Sequence, residues 1–409
     1  MGLANDAAQS LKPVREMPQF PAAIGVKNDH AYLERCRGMG PFLRDRFNTI
    51  TSFSMAHLNH FFDDRWTRQM EMEVMHASGV KGGASYELVE NALLFANGQT
   101  HRDRRSPLAR TFAQPLMMAL RPAVAERVQR MIEPLVGAGP IPFIERLSGP
   151  LPACTVASVI GAPEVDGPLF SELAYVAARG IGICPASQRV EADAAVETVT
   201  DYVRRLIESR RETPRGDFLT SYVEKVKDGP LNETEIRAQI VGLVVAGSDT
   251  TRGSLTSIFS QLLQHPEQWA LVVEDPGKYA AGAVQEGLRY DPIIGALARI
   301  VTEEIEIEGY AIPPGSVITP SVMAALRDPE VYADPGTFDI TRTDHPRLHP
   351  VFGFGVHRCI GESLARIQLE EAIKTLARLA PNARFDGPPT TLRGFSAIRT
   401  ASEMQVVLE

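Results

Sequence analysis

The stretch Phe352-Gly353-Phe354-Gly355-Val356-His357-Arg358-Cys359-Ile360-Gly361 sets one cysteine among glycines. Glycine permits positive φ and lets a flat group approach the backbone closely. The run that follows, Glu362-Ser363-Leu364-Ala365-Arg366-Ile367-Gln368-Leu369, is amphipathic and predicts a helix with Cys359 at or near its N-terminus. The partial positive charge there, with Arg358 beside it, favours a thiolate over a thiol. A thiolate on a glycine-rich loop suits an axial position on iron, where it pushes electron density toward dioxygen and promotes O–O cleavage. Two other readings fit these residues. One is a buried thiol in a glycine-rich turn. The other is zinc, since His345, His349, His357 and Cys359 lie close in sequence. Zinc has no use for Phe352 or the glycines, and no CxxC is present.

Upstream, Glu286-Gly287-Leu288-Arg289 places an acid and an arginine at i and i+3 on a helix. Taken alone this is a common surface pair, worth roughly a few tenths of a kcal/mol. Further back, Asn232-Glu233-Thr234-Glu235 has the form of a capping box. The helix it starts runs to His265-Pro266, and ~33 residues at 1.5 Å each span about 50 Å, enough to cross a whole core. Its middle, Ala246-Gly247-Ser248-Asp249-Thr250-Thr251, breaks helix rules. Gly247 costs about 1 kcal/mol against Ala, and Asp249 is an acid in an otherwise apolar stretch. A threonine hydroxyl can bond back to an i−4 carbonyl and locally open the helix. Ala246 and Gly247 leave room for a diatomic, and Asp249 and Thr250 can pass protons to it. A polar helix face beside a packing glycine is the other reading.

His101 and Arg105 are four apart and share a helix face. Two cationic donors there suit a carboxylate or phosphate. A solvated basic face reads equally from these residues alone.

Residues 1–30 read as an extended lead-in, with a helix from Asp29 through Cys36. Residues 41–75 show no clear period, and His76 to Ser85 reads as a glycine-rich loop. Helices are expected at 123–137 and 151–161, and a pair over 168–212 is split at Gly180–Pro185. Alternation over 299–322 and near the C-terminus signals strands. There is no internal repeat or second boundary, so 1–409 reads as a single domain. The hydrophobic fraction of 44% and charged fraction of 22% are ordinary for a globular protein. A net charge of −8 argues against general nucleic-acid binding. The first sixty residues hold neither a signal peptide nor a membrane span, and Asp6 spoils a myristoylation signal after Met1-Gly2. Four scattered cysteines fit a reducing, cytoplasmic setting.

Phe352, Gly355, Cys359 and Gly361 resemble the haem-binding loop of the cytochrome P450 family: Phe, two residues, Gly, three residues, Cys, one residue, Gly. Ala246–Thr251 resembles that family's oxygen-binding signature, and Glu286–Arg289 its Glu-x-x-Arg pair. The matches run in family order from His101 to Gly361. The resemblance implies a mainly α triangular-prism fold with small β-sheets, and a haem-thiolate monooxygenase. It implies haem b with Cys359 as the axial iron ligand. His101, Arg105 and Arg299 then bind the propionates, and Phe352, Gly353, Gly355, His357 and Gly361 form the loop against the cofactor. Ala246 and Gly247 border the dioxygen side, and Asp249 and Thr250 deliver protons. Glu286 and Arg289 are structural. Their usual third partner is an arginine directly before a phenylalanine; here Thr337 precedes Phe338, which leaves the third contact open with Arg342 as a candidate substitute.

Pocket positions implied by the family are Leu94, Phe95, Leu243, Val244, Ile293, Ile294, Ala296, Leu297, Ser396, Ala397 and Ile398. Most are apolar, which suits a hydrophobic small-molecule substrate. The helix pair over 168–212 would be its lid. No GxGxxG follows a strand, so electrons are expected from a separate ferredoxin and its reductase, docking around Arg358 and Arg366. A monomer that binds neither membrane nor nucleic acid completes the expectation.

Overall fold

The computed structural model describes residues 11–23, 25–182, 184–395 and 397–409; the first ten residues of the expected lead-in and pocket position Ser396 lie outside them. The chain is mainly helical with small sheets. Five helices carry the site: α1 (Gly98–Thr111), α2 (Gly167–Gly180), α3 (Glu233–Gln264), α4 (Pro276–Tyr290) and α5 (Glu362–Leu379).

The long helix forms as its sequence predicts. The Asn232 side chain accepts from Glu235 N–H, and the Glu235 carboxylate accepts from Asn232 N–H. Both satisfy amides that the first turn leaves free. Its second half, Gly253 to Leu262, is buried all round. Small residues permit that. A Cβ on Gly253 would collide with Ile293, and one on Gly287 of α4 would stand 2.6 Å from Ile258 of α3. The Glu286–Arg289 helix therefore lies tightly against the long helix.

Two apolar clusters sit along α3. One joins its second half to α4 and α5. The other joins its first half to α2 and the helix Ala186–Glu212. Leu243 and Ile360 each pack against both, so the middle of α3 and the cysteine loop border the same seam.

A five-stranded sheet supplies the last component. Its strands are β1 (Phe42–Arg44), β2 (Ile50–Ser52), β3 (Thr67–Gln69), β4 (Arg299–Val301) and β5 (Val317–Ile318), in spatial order β1-β2-β5-β4-β3. β4 pairs antiparallel with β3, with Arg299 opposite Gln69 and Val301 opposite Thr67. Residues 41–75 thus supply three strands and the helix Met55–Phe61, where the sequence shows no period. Three-residue strands are too short for alternation to register.

The loop expected over His76–Ser85 is shorter than that. Glu73–Ala77 is helical through His76, and Ala84–Asn91 begins at Ala84. The second start is set from afar: Asp193 of the helix Ala186–Glu212 accepts from Ser85 N–H at 2.9 Å. The expected helices at the first segment, at 151–161 and across 168–212 are present as Asp29–Arg37, Pro150–Val159, and α2 followed by Ala186–Glu212. Among the described residues no helix is long and apolar enough to cross a membrane.

Candidate active site

The cysteine loop is shaped by its glycines and held by its own backbone. Gly353 and Gly355 have φ of 73° and 60°, and a Cβ on Gly355 would stand 3.4 Å from the Phe62 carbonyl. Cys359 N–H donates to the Phe352 carbonyl at 2.8 Å. Arg358 Nη1 donates to the Gly353 carbonyl at 2.7 Å, and Arg105 Nη2 donates to the Arg358 carbonyl at 2.7 Å. Gly361 then caps α5.

Cys359 is enclosed by protein yet its side chain is accessible, so it faces an internal cleft and not the outer surface. Burial pushes its thiol up; the Gly361 N–H pulls it down, Glu362 raises it, and Arg105 and Arg358 lower it. Arg358 and the helix end, expected to favour a thiolate, act against a larger opposing effect of burial. Desolvation is the largest effect, and Arg358 is already paired with Glu362 at 2.6 Å. A coordinating metal reverses that balance, because it deprotonates the thiol outright.

His101 is buried, and its ring centroid lies 4.2 Å from that of His357. Burial first, then His357 and Arg105, lower its pKa to about 4. The expected pair of cations on one helix face is therefore one cation, Arg105, and one neutral imidazole that can still donate an N–H. Arg299 is fully buried. Its Nε donates to Thr67 Oγ1 at 2.9 Å, its Nη2 to the Thr67 carbonyl at 3.0 Å and to Asp64, while Nη1 has no partner among the described residues. A buried guanidinium donor without an acceptor is costly. A carboxylate arriving at Nη1 would satisfy it, and a haem propionate has that chemistry.

The rival zinc arrangement does not form. His349 accepts Val351 N–H at Nδ1 and donates from Nε2 to the Gln285 carbonyl, and His345 turns toward Glu286.

In α3, Thr250 Oγ1 donates to the Ala246 carbonyl at 2.9 Å. Ser248 and Thr251 bond back in the same way to Val244 and Gly247, yet the helix stays α-helical throughout. The local opening expected from such bonds does not interrupt the helix. Ala246 is exposed although Val244 and Val245 beside it are buried, so it too faces an internal cleft. Asp249 Oδ1 receives Arg252 Nη2 at 2.5 Å, and the Arg252 guanidinium lies 3.8 Å from the centre of the Tyr175 ring on α2. Sequence reading passed over Arg252, although an acid and an arginine at i and i+3 were there to see.

Glu286 and Arg289 are both fully buried and bidentate, at 2.6 and 2.7 Å. Arg289 also donates to the carbonyls of Leu326, Pro335 and Thr337. Arg342 Nε stands 3.4 Å from Glu286 Oε2. Thr337 thus contributes its backbone, and Arg342 stands as the third partner of the pair.

The pocket positions divide. Residues 293–297 and 397–398 meet through the Ile294–Ile398 bridge and through Gly295 N–H donating to the Ala397 carbonyl at 2.8 Å. Phe95, Leu243, Ile294 and Leu297 are half-buried, and Leu94, Ala397 and Ile398 are exposed. Val244 is fully buried in the second cluster, Ile293 packs onto Gly253, and Ala296 is buried. Val244 has no accessible surface, and Ile293 and Ala296 keep only a small one. Val244 is rotated about 100° from Leu243 on the helix, which turns it into the core.

A cytochrome P450 family model matches residues 172–275 and 278–379. The plant-inducible cytochrome P450-pinF1 of Rhizobium radiobacter is 37% identical over 381 residues, covering 93% of this chain and 90% of that protein. The luteothin monooxygenase of Streptomyces thioluteus is 31% identical over 307 residues, covering 74% and 75%. The crystal structure of CalO2 matches with a TM-score of 0.87 at 24% identity, over 98% of this chain and 99% of that one, a likeness of fold. This chain belongs to the cytochrome P450 family of haem-binding monooxygenases.

Proposed function

We propose that the chain works as one haem domain that inserts an oxygen atom into a hydrophobic small molecule, with Cys359 as the axial ligand of iron. The observation that carries this is Arg299 Nη1, without a partner among the described residues and buried at the end of a chain of contacts through Asp64 to His357, two residues before Cys359. Cys359 would hold the iron of a bound haem through its sulfur, and the group would supply reductive oxygen chemistry that a thiolate ligand favours.

The protein's own share follows from its side chains. Arg105 and Arg299 hold the haem carboxylates as cations, and His101 and His357 donate to them. The backbone at Gly353 and Gly355 lets the flat ring approach the loop. Ala246 and Gly247 keep the opposite side clear of bulk. Asp249 and Thr250 carry protons: Arg252 takes Asp249 Oδ1 and leaves Oδ2 for transfer, and Thr250 Oγ1 can turn from the Ala246 carbonyl to donate into the cleft.

Leu243, Phe95, Ile294, Leu297 and Ile398 give the substrate an apolar surface, which excludes water and favours a hydrophobic molecule. Electrons come from a separate ferredoxin and reductase in the cytoplasm, received by a monomer on the face around Arg358 and Arg366. Both arginines pair with Glu362, which tempers their charge. The test is turnover under ¹⁸O₂ with such a donor pair, on a compound chosen because it shifts the haem spin state. Product carrying one labelled oxygen atom is expected. Product without label, from a haem that binds and reduces normally, would end the monooxygenase reading.

A further inference from the structure

The segment Phe62-Asp63-Asp64-Arg65-Trp66-Thr67 touches both Arg299 and the cysteine loop, and no motif announces it. Phe62 packs edge-on against Phe354 of the cysteine loop, with ring centroids 6.1 Å apart. Its carbonyl faces Gly355, and its ring lies beneath the Arg299 guanidinium at 5.7 Å. Thr67 takes two donors of Arg299, Nε and Nη2. Asp64 stands between the two groups: Oδ1 receives Arg299 Nη2, and Oδ2 lies 3.4 Å from His357 Nε2. Asp63, next in line, is spent on Arg65 at the surface.

Asp64 thus ties strand β4 to the cysteine loop through one carboxylate. It fixes one edge of each partner. With Nε and Nη2 occupied, Arg299 can present only Nη1, and that donor is fully buried without an acceptor among the described residues. We propose that Asp64 is a positioning residue for the haem carboxylates: it orients Arg299 and His357 toward them and places a fixed negative charge beside them. This rests on the haem reading above.

The charge and the geometry predict different readouts. Removing the charge while keeping the shape favours the reduced, more electron-rich haem, because a nearby anion opposes the added electron. Removing the side chain frees both partners, and loss of such an outer contact costs on the order of tenfold in affinity.

The experiment compares wild-type holoenzyme with Asp64→Asn and Asp64→Ala. Haem loss is followed by transfer to excess apomyoglobin, the midpoint potential by spectroelectrochemistry, and folding by thermal unfolding. Asp64→Asn is expected to keep haem nearly as well as wild type but to shift the potential to a more positive value. Asp64→Ala is expected to lose haem about tenfold faster. A role in folding alone would lower the unfolding temperature of Asp64→Ala and leave the potential of Asp64→Asn in place, which would overturn the proposal. Slower haem loss in Asp64→Ala would overturn it too, since Asp64 would then compete with the haem carboxylates for the same donors. Should Asp64→Ala not fold, the potential of Asp64→Asn decides alone. A wild-type protein without haem would instead overturn the parent reading, an outcome seen before any variant is made.

Discussion

Arg252 holds Asp249 from one turn further along the same helix, its Nη2 2.5 Å from Oδ1, while its guanidinium lies over the Tyr175 ring of α2, 3.8 Å from its centre. One arginine therefore joins the acid of the oxygen-side signature to the helix that the family uses as a lid. Removing the acid and removing the arginine should differ. Asp249→Asn should slow turnover about 100-fold, the size expected when a positioned proton carrier is lost, with haem binding unchanged. Arg252→Gln should leave a working acid and cost about 1 kcal/mol of stability through the lost stacking and pairing. Turnover assays and thermal unfolding separate the two, and an Asp249→Asn enzyme at full rate would remove that residue from proton delivery.

The Glu286–Arg289 pair has no exposure at all. Glu286→Ala would leave Arg289 with three neutral carbonyl contacts and no counter-charge, and breaking a buried pair from one side costs about 3–5 kcal/mol. Loss of folded, haem-loaded protein is expected. Arg342→Ala should be milder, because its Nε stands at 3.4 Å and Glu286 keeps Arg289. Equal unfolding temperatures for the two variants would show that the buried pair is not the support assumed here.

His30 gives a pH dependence away from the haem. Burial is the main cause that lowers its pKa to about 4, although Asp291, 3.0 Å away, pulls the other way. Folded, His30 stays neutral down to about pH 4, whereas the unfolded chain protonates it near 6.5. The unfolded state therefore binds more protons between those values, and stability falls as pH drops from 6.5 toward 4. The share due to His30 is roughly 1–3 kcal/mol. His101 and His345 act in the same direction. Urea unfolding at pH 7 and pH 5 should show a smaller acid loss in His30→Gln than in wild type. An identical loss would assign the effect elsewhere.

Arg366 pairs with Glu362 at 3.2 Å and lies over the Phe352 ring. If the donor docks here, Arg366→Glu should slow reduction several-fold, with a defect that changes with ionic strength. Arg366→Gln controls for the lost stacking. Stopped-flow reduction of the ferric protein reads both, and equal rates in wild type and Arg366→Glu would move the docking face.

What the sequence made legible is local. The capping box at Asn232, the glycine spacing around Cys359, and the acid–arginine pair at 286 and 289 each declare themselves within a few residues. Chemistry that needs two distant segments did not show. β3 and β4 are paired from more than two hundred residues apart, so nothing near Asp64 or Thr67 hints at Arg299. His101 looks cationic in sequence and is neutral in place, because its state is set by burial against His357. Arg342 was nameable as a substitute, but its closeness to Glu286 depends on how residues 334–342 fold around Arg289. The family resemblance implies a pocket position for Val244, and the helix phase puts it in the core.

The central claim is that Cys359 binds haem iron through its sulfur. The absorption spectrum of the dithionite-reduced protein under carbon monoxide reads that bond directly. A Soret band shifted far to the red, and lost in Cys359→His while haem is retained, is the predicted result. A histidine-type spectrum in wild type, or a protein with no haem at all, would contradict it.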